Sequence, residues 1–205
     1  MSLTLSGSGN TNGRVTVAFG TVINSLVPSR KGAFTRISTL KATAAGTAHV
    51  ATALRSLGRT TFTGAGAASQ AVVNLTANPG PSGNLLAAND WVAIRETDGI
   101  TRLYQVSSIS TLAVTLTANL TTGVAATGVG VDSALWMFGV AADTDPRTGA
   151  AHPGFTVPAS ATTTYTDNFG GVVASIAADE PILVQSNNAT ATGIIEQVSY
   201  AYSAV

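Results

Sequence analysis

The chain has 205 residues, of which 45% are hydrophobic and 10% are charged, and its formal net charge is zero. This length and hydrophobic content allow one medium domain or two small ones with buried cores, and they exclude a disordered chain. The absence of cysteine excludes disulfides, a thiol nucleophile and cysteine-based metal sites. No apolar stretch of about 18 residues occurs, so no membrane span is expected.

The surface is expected to carry little charge. About 25% of the residues of a typical soluble protein are charged, and here small neutral residues, above all Ala, Thr, Gly, Ser and Val, take their place. A low charge density and a net charge near zero favour association, so we expect other subunits to cover much of the surface. A soluble protein encoded by a GC-rich genome is the alternative explanation of this composition.

The charges are unevenly distributed along the chain. Residues 1–63 contain seven basic residues and no acidic residue, whereas residues 132–205 contain seven acidic residues and one basic residue, Arg147. Either the two ends pair within one domain, or each end contacts a different partner. The basic residues are spread thinly over 46 residues, from Arg14 to Arg59, so no nucleic-acid partner is expected.

Short strands separated by turn residues recur along the whole chain. The segment 43–55 is rich in alanine, which suits a helix, but its Gly46, its threonines and its alternating pattern favour a strand. Many short strands at fairly regular spacing indicate a sandwich or a barrel. In chain order the predicted strands are Arg14–Phe19, Phe34–Lys41, Thr43–Arg55, Ala71–Thr76, Asp90–Glu96, Thr101–Ser108, Thr111–Leu116, Ala134–Val140, Pro181–Ser186 and Gly193–Tyr202.

The middle of the chain is predicted to be a separate unit. Stretches of small residues bracket it, and inside it two alternating strands flank Asp98-Gly99, a strong hairpin signal. We therefore predict an all-β protein, in which residues 33–63 and 132–205 form a discontinuous, jelly-roll-like β-sandwich. Residues 64–131 would form an inserted small SH3-like β-barrel, and residues 1–32 an N-terminal arm.

The sequence offers few residues for metal binding. His49 and His152 have no carboxylate or second histidine at ligand spacing, so both are interpreted as structural. Asp143 and Asp145 could ligate calcium, but the loop around them lacks the spacing of a calcium-binding loop and fits a turn better.

The carboxylates do not form a convincing catalytic pair. Adjacent strand residues such as Asp179 and Glu180 point to opposite faces, and Glu96 and Asp98 flank a hairpin turn, where polar residues are expected anyway. No Ser-His-acid constellation, nucleophile elbow or phosphate-binding loop is present. We therefore expect no enzymatic activity, no catalytic residues and no cofactor.

The aromatic residues lie mostly in predicted strands. Trp91 and Trp136 are expected to pack in a core. Tyr200 and Tyr202 lie two residues apart near the end of the chain, so they share one face of a strand. They are candidates for a subunit interface, and core packing is the alternative.

Three runs of the chain resemble capsid decoration, or cement, proteins of tailed bacteriophages. They are KGAFTRISTLKATAAGTAHVATALRSLGR at 31–59, FGVAADTDPRTGAAHPGF at 138–155 and ASIAADEPILVQSNNATATGIIEQVSYAYS at 174–203. The resemblance implies a β-rich protein on the outside of a virion capsid, often a trimer, that ties neighbouring capsomers together. Its partners would be the major capsid protein and further copies of itself in a homotrimer.

The basic first third of the chain is where we expect contact with the capsid. Capsid exteriors are often acidic, and no acidic residue in this third would repel them. The capsid-interface candidates are Arg14, Arg30, Lys31 and Arg36.

Two other functions stay open. A tail, neck or fibre component of a virion would share this composition. A carbohydrate-binding adhesion module would need exposed aromatic platforms, whereas aromatic residues make up 6% of the chain, mostly at core-like positions.

Overall fold

The computed structural model describes residues 11–15, 23–27, 29, 32–45, 47–129, 132–139, 152, 154–159, 162–166, 173–174, 180–187 and 192–204. Within these ranges every regular element is a β-strand, so the prediction of an all-β protein is confirmed. The abundant Thr and Val explain this, because β-branched side chains fit a pleated surface. The strands are β1 (Thr11–Val15), β2 (Asn24–Val27), β3 (Ala33–Ala45), β4 (His49–Leu54), β5 (Gly58–Thr60), β6 (Val72–Asn74), β7 (Trp91–Arg95), β8 (Thr101–Ser110), β9 (Ala113–Leu116), β10 (Ala134–Phe138), β11 (Gly154–Val157), β12 (Thr162–Thr166), β13 (Val173–Ala174), β14 (Ile182–Ser186) and β15 (Thr192–Ala204).

The alanine-rich segment 43–55 is predicted as one strand, and the structure divides it between two strands of different sheets, with a bend at Thr47. It contains the end of β3 and all of β4. The backbone of β4 pairs with β14 on one side and β11 on the other. These two ladders satisfy the backbone groups that a helix would have satisfied within the segment itself.

The chain divides into two compact units. Unit 1 contains the described residues up to Arg55 and from His152 onward, and unit 2 those from Ser56 to Gly139. Unit 2 extends beyond the predicted insertion 64–131 at both ends. The reason is that β10 pairs with β7 and β5 pairs with β10, so both strands belong to the sheet of this unit.

Unit 1 contains two antiparallel sheets. One has the order β1-β15-β3-β12, with β13 also paired to β3, and the other has the order β11-β4-β14-β2. Two of these strands, β1 and β2, lie within the predicted arm 1–32, where they pair with β15 and β14. Every residue of β14 is buried, so this strand is covered on both of its faces.

A β-bulge interrupts the longest ladder of unit 1. Thr39 lies opposite Ser199, but Ile37 lies opposite Tyr200, so Ser38 is an extra residue on β3. An extra residue shifts the side-chain alternation by one position. Ile37 is buried before the bulge and Leu40 after it, so the regular alternation predicted for residues 34–41 holds only on either side of Ser38.

Unit 2 is one curled antiparallel sheet of order β5-β10-β7-β8-β9-β6. Its two outer edges meet, because Phe62, just after β5, bridges to Leu75, just after β6. The predicted hairpin at Asp98-Gly99 is present as β7 and β8, and Gly99 adopts a φ of 78° in the turn.

The core of unit 2 lies inside the curled sheet. Most strands contribute alternate apolar residues to it, as a half-buried sheet requires. Its fully or nearly buried members are Leu57, Phe62, Val73, Leu75, Leu86, Val92, Ile94, Tyr104, Val106, Val114, Leu116, Leu120, Val124, Leu135 and Met137.

Candidate functional site

Four of the predicted interface residues belong to one sheet of unit 1. Arg14 lies in β1, Arg36 in β3, and Tyr200 and Tyr202 in β15. The residue opposite Arg36 is Ala201, which separates the two tyrosines. Because neighbouring strand positions alternate between faces, position 36 belongs to the face opposite that of positions 200 and 202.

The two faces of this sheet differ in exposure. The side chain of Arg36 is exposed. Tyr200 and Tyr202 occupy register positions opposite Ile37 and Thr35, whose side chains are buried. The candidate capsid contact and the candidate subunit contact were predicted from different segments, and the topology brings them to one ladder of paired strands.

Four other predicted residues lie outside the described part of the chain. They are the capsid-interface candidates Arg30 and Lys31 and the possible ion ligands Asp143 and Asp145. Their assignments stay predictions.

The densest polar arrangement in unit 2 surrounds a buried carboxylate, Glu96, which follows β7. Its Oε1 accepts a 2.5 Å hydrogen bond from the hydroxyl of Tyr104 and lies 3.4 Å from Nη1 of Arg102. Its Oε2 accepts hydrogen bonds from the backbone N–H groups of Thr122, at 2.5 Å, and Gly123, at 3.0 Å. The hydroxyl of Thr122 adds a third donor at 3.1 Å. Both oxygens of this fully buried side chain are therefore satisfied.

These donors decide the protonation of the cluster. Burial acts to raise the pKa of Glu96, but the hydrogen bonds from Tyr104, Thr122 and Gly123 outweigh it and hold that pKa below its ordinary value. The pKa of Tyr104 is raised, first by burial and then by its hydrogen bond to Glu96. A charged carboxylate and a neutral phenol are therefore the stable forms at neutral pH.

The second carboxylate of the hairpin, Asp98, is exposed and paired to Arg102. The two guanidinium nitrogens donate to Oδ1 at 3.0 Å and to Oδ2 at 2.7 Å. This bidentate pairing lowers the pKa of Asp98 to about 2 and raises that of Arg102. The two carboxylates thus share one arginine.

We call Glu96, Asp98, Arg102, Tyr104, Thr122 and Gly123 the Glu96 cluster. It fastens the β7–β8 hairpin to the segment after β9. A second set of bonds does the same, since Thr97 donates its backbone N–H to Gly123 O and its hydroxyl to Thr122 O, both at 2.9 Å. The sequence flagged Glu96 and Asp98 as a pair, but it gave no signal for Thr122 and Gly123, which lie more than 25 positions away.

The two histidines lie in unit 1, and both are buried. Nδ1 of His49 in β4 lies 3.1 Å from Oγ of Ser186 in β14, and burial lowers the pKa of His49. Nδ1 of His152 accepts a long hydrogen bond, 3.5 Å, from the backbone N–H of Arg55. Each imidazole thus joins strands or segments that are about 100 or more residues apart in sequence.

The described residues show no grouping of three or more His, Asp or Glu side chains that could hold a metal ion. In the same residues, no helix is long and apolar enough to cross a membrane.

Aromatic side chains are withdrawn from the surface wherever the structure describes them. Arg59 contributes to this, because its guanidinium carbon lies 5.2 Å from the ring centre of the buried Trp136. No aromatic side chain that the structure describes is fully exposed. The buried aromatic residues are Phe62, Tyr104, Trp136 and Phe138, and the half-buried ones are Phe34 and Trp91.

No protein-family model, curated protein or solved structure matches the chain. The inference of function therefore depends on the residues of the chain itself.

Proposed function

We propose that the protein is a virion structural protein, a capsid decoration protein that binds the outside of an assembled capsid and stabilises contacts between capsomers. The observation that carries the proposal is the combination of an all-β chain with only 10% charged residues, together with the three runs that resemble cement proteins. The protein would occur at the capsid surface as a homotrimer bound to the major capsid protein. Its role is structural, not enzymatic.

The proposed mechanism is thermodynamic. A ligand that binds only the assembled state stabilises that state by mass action, and anchoring through several subunits raises the effective affinity. Basic residues of the first third would contact an acidic capsid exterior, and Arg36 is the one whose exposed side chain supports this assignment directly. Arg14, Arg30 and Lys31 complete the proposed contact.

The finer architecture is also part of the proposal. The two sheets of unit 1 would form a jelly-roll-like sandwich, and the curled sheet of unit 2 a small SH3-like barrel. Such rigid units would hold contact residues at fixed positions on the capsid lattice.

The test uses undecorated capsids assembled from the major capsid protein of the proposed parent phage. Purified protein is titrated onto them, and cosedimentation and the temperature of capsid disruption are measured. We expect saturable binding and a higher disruption temperature. Absence of cosedimentation at any concentration would exclude the decoration function, and rings or spikes in negative-stain images would favour a tail, neck or fibre component.

Charge reversal tests the proposed contact residues. We expect Arg36→Glu, and the double change Arg30→Glu with Lys31→Glu, to weaken capsid binding by about tenfold or more, because each replaces attraction by repulsion. Thr156→Glu is the control, since it adds a negative charge at an exposed position of β11 that lies outside the basic first third of the chain. Unaltered binding of the first two variants would refute the assignment of these residues.

A further inference from the structure

Two long segments of unit 2 contain no ionisable side chain of Asp, Glu, Lys, Arg or His. They are residues 60–89 and 103–131. A typical soluble domain, about a quarter charged, would place roughly fifteen charged residues in segments of this combined length. The low charge content of the chain is thus due in large part to these two segments, which carry no charged side chain.

The fold joins these two segments into one continuous surface. β6 pairs with β9, and β9 pairs with the second half of β8. The adjoining loops are joined as well, since Gly66 pairs with Val124, and Leu120 exchanges backbone hydrogen bonds with Gln70 and Ser69. We call the exposed side of residues 60–89 and 103–129 the uncharged surface.

The charged residues of the described part of unit 2 lie elsewhere in the sequence, in the hairpin region 90–102 and at Arg59 and Asp132. In this region Arg95 and Glu96 are buried and Asp98 is paired with Arg102. Asp90 is half-buried and accepts a hydrogen bond from the backbone N–H of Ala87, so it lies at the border of the uncharged surface. The uncharged surface therefore carries no side-chain charge of its own to repel or attract a partner.

Large apolar side chains protrude from this surface. Val72 in β6 is 46% exposed, and in the adjoining loops Leu85 is 57% and Val129 65% exposed. Covering them would remove apolar area from water, which is favourable. They are three of the five large apolar side chains that the described residues expose.

Four threonine hydroxyls of the two uncharged segments are already paired. Oγ1 of Thr76 lies 3.1 Å from Oγ1 of both Thr60 and Thr61, and Thr127 donates to Oγ1 of Thr61 at 2.7 Å. Polar groups that are already hydrogen-bonded cost little when water is excluded. The surface can therefore be covered without leaving these hydroxyls unsatisfied.

We propose that the uncharged surface of unit 2 is a self-association surface, and that its occupant is the equivalent surface of a second copy of this chain. A charged partner would have to give up the hydration of its charges without finding counter-charges here, which is costly. A second copy has no charge to desolvate, and its Thr, Ser, Asn and Gln side chains both donate and accept hydrogen bonds. This deepens the self-association part of the proposed function, assigns it to unit 2 and not to Tyr200 and Tyr202 of unit 1, and does not require capsid binding.

The experiment places a charge on the surface and measures association by sedimentation velocity of the full chain, from about 1 to 100 µM. We expect the wild type to self-associate and Val72→Glu to weaken association by about tenfold or more. Val72→Lys should weaken it as well, because the opposing surface is uncharged. Val50→Glu, at a strand valine of unit 1 that is 38% exposed, is the matched control and should associate like the wild type.

Several results would overturn the proposal. A wild type that is monomeric throughout this range excludes it, and so do Val72 variants that associate like the wild type. Strengthening by one sign of charge would show that a charged surface of the second copy, not its uncharged surface, meets Val72, and would overturn the proposed contact. Asn74→Asp, a nearly isosteric change at an exposed position of β6, replaces Val72→Glu if that variant does not fold. Capsid cosedimentation is scored separately, so either hypothesis can fail alone.

Discussion

The hydroxyl of Tyr104 donates to Oε1 of Glu96 at 2.5 Å, and both residues are buried beside the exposed turn of the same hairpin. This bond orients a carboxylate that also accepts the backbone N–H groups of Thr122 and Gly123. The hairpin turn is therefore fixed to a distant segment by the Glu96 side chain together with the two hydrogen bonds of Thr97.

We expect Glu96→Gln to lower the free energy of unfolding by about 3 kcal/mol. Glutamine keeps the size of the side chain but must turn its NH₂ group toward a set of donors, either Thr122 and Gly123 or Arg102. Tyr104→Phe, which removes one donor only, should cost about 1–2 kcal/mol. Urea unfolding followed by tryptophan fluorescence measures both, and equal stability of Glu96→Gln and the wild type would contradict the role of the cluster.

Stability should fall in acid, and part of the fall should be traceable to this cluster. The folded pKa of Glu96 lies below its ordinary value of 4.5, and that of Asp98 is about 2 instead of 3.8. Each carboxylate therefore stabilises the folded state above its ordinary pKa, and that contribution is lost as the pH falls toward the folded pKa. Unfolding midpoints between about pH 5 and 2 should decline more steeply for the wild type than for Glu96→Gln. Parallel declines would assign the acid sensitivity to other carboxylates.

The Glu96 cluster also marks a limit of prediction from sequence. The hairpin could be predicted, because alternation and the Asp98-Gly99 dipeptide are local signals. The partners of Glu96 could not, because Thr122 and Gly123 become neighbours only after β9 has paired with β8. A polar residue beside a turn is usually solvated, so nothing local distinguishes Glu96 from Asp98.

Gly123 should not tolerate a side chain, whereas Gly64 should. A Cβ at position 123 would lie 2.3 Å from the backbone O of Gly66, and the residue has a φ of 92°. At position 64 a Cβ would meet nothing within 4 Å. We expect Gly123→Ala to cost about 2 kcal/mol or more, and Gly64→Ala to leave stability unchanged or raise it by about 0.5 kcal/mol. Thermal unfolding compares the two alanines directly, and a neutral Gly123→Ala would contradict the close approach of these segments.

His49 should stay neutral at a pH where an ordinary histidine is largely protonated. Burial holds its pKa below 6.5, so the folded state binds a proton less readily than the unfolded chain, and stability is lost as the pH falls below about 6.5. The titration of the imidazole C2–H signals by NMR measures this, with His49→Gln assigning the two resonances. A titration midpoint at or above 6.5 would contradict the buried position of this ring.

The positions of strands along the sequence were easier to predict than their register and their bulges. The buried strand β10 and the alternation in β7 and β8 follow from apolar patterns that adjacent residues display. The bulge at Ser38 could not be predicted, since the extra residue is defined only by the register with β15. A shift of one residue at Ser38 decides whether Leu40 or Thr39 faces the core. No local sequence pattern indicates which of the two is buried.

The pairing of β5 with β10 has a consequence for how this protein could have been assembled in evolution. The chain enters unit 2 through β5 and leaves it through β10, and Gly58 lies opposite Met137 in the same ladder. Facing residues of antiparallel strands are about 5 Å apart, so the two ends of the segment meet almost as closely as the ends of a tight turn. A segment with such adjoining ends can be gained, exchanged or deleted as a cassette without stretching the polypeptide that flanks it.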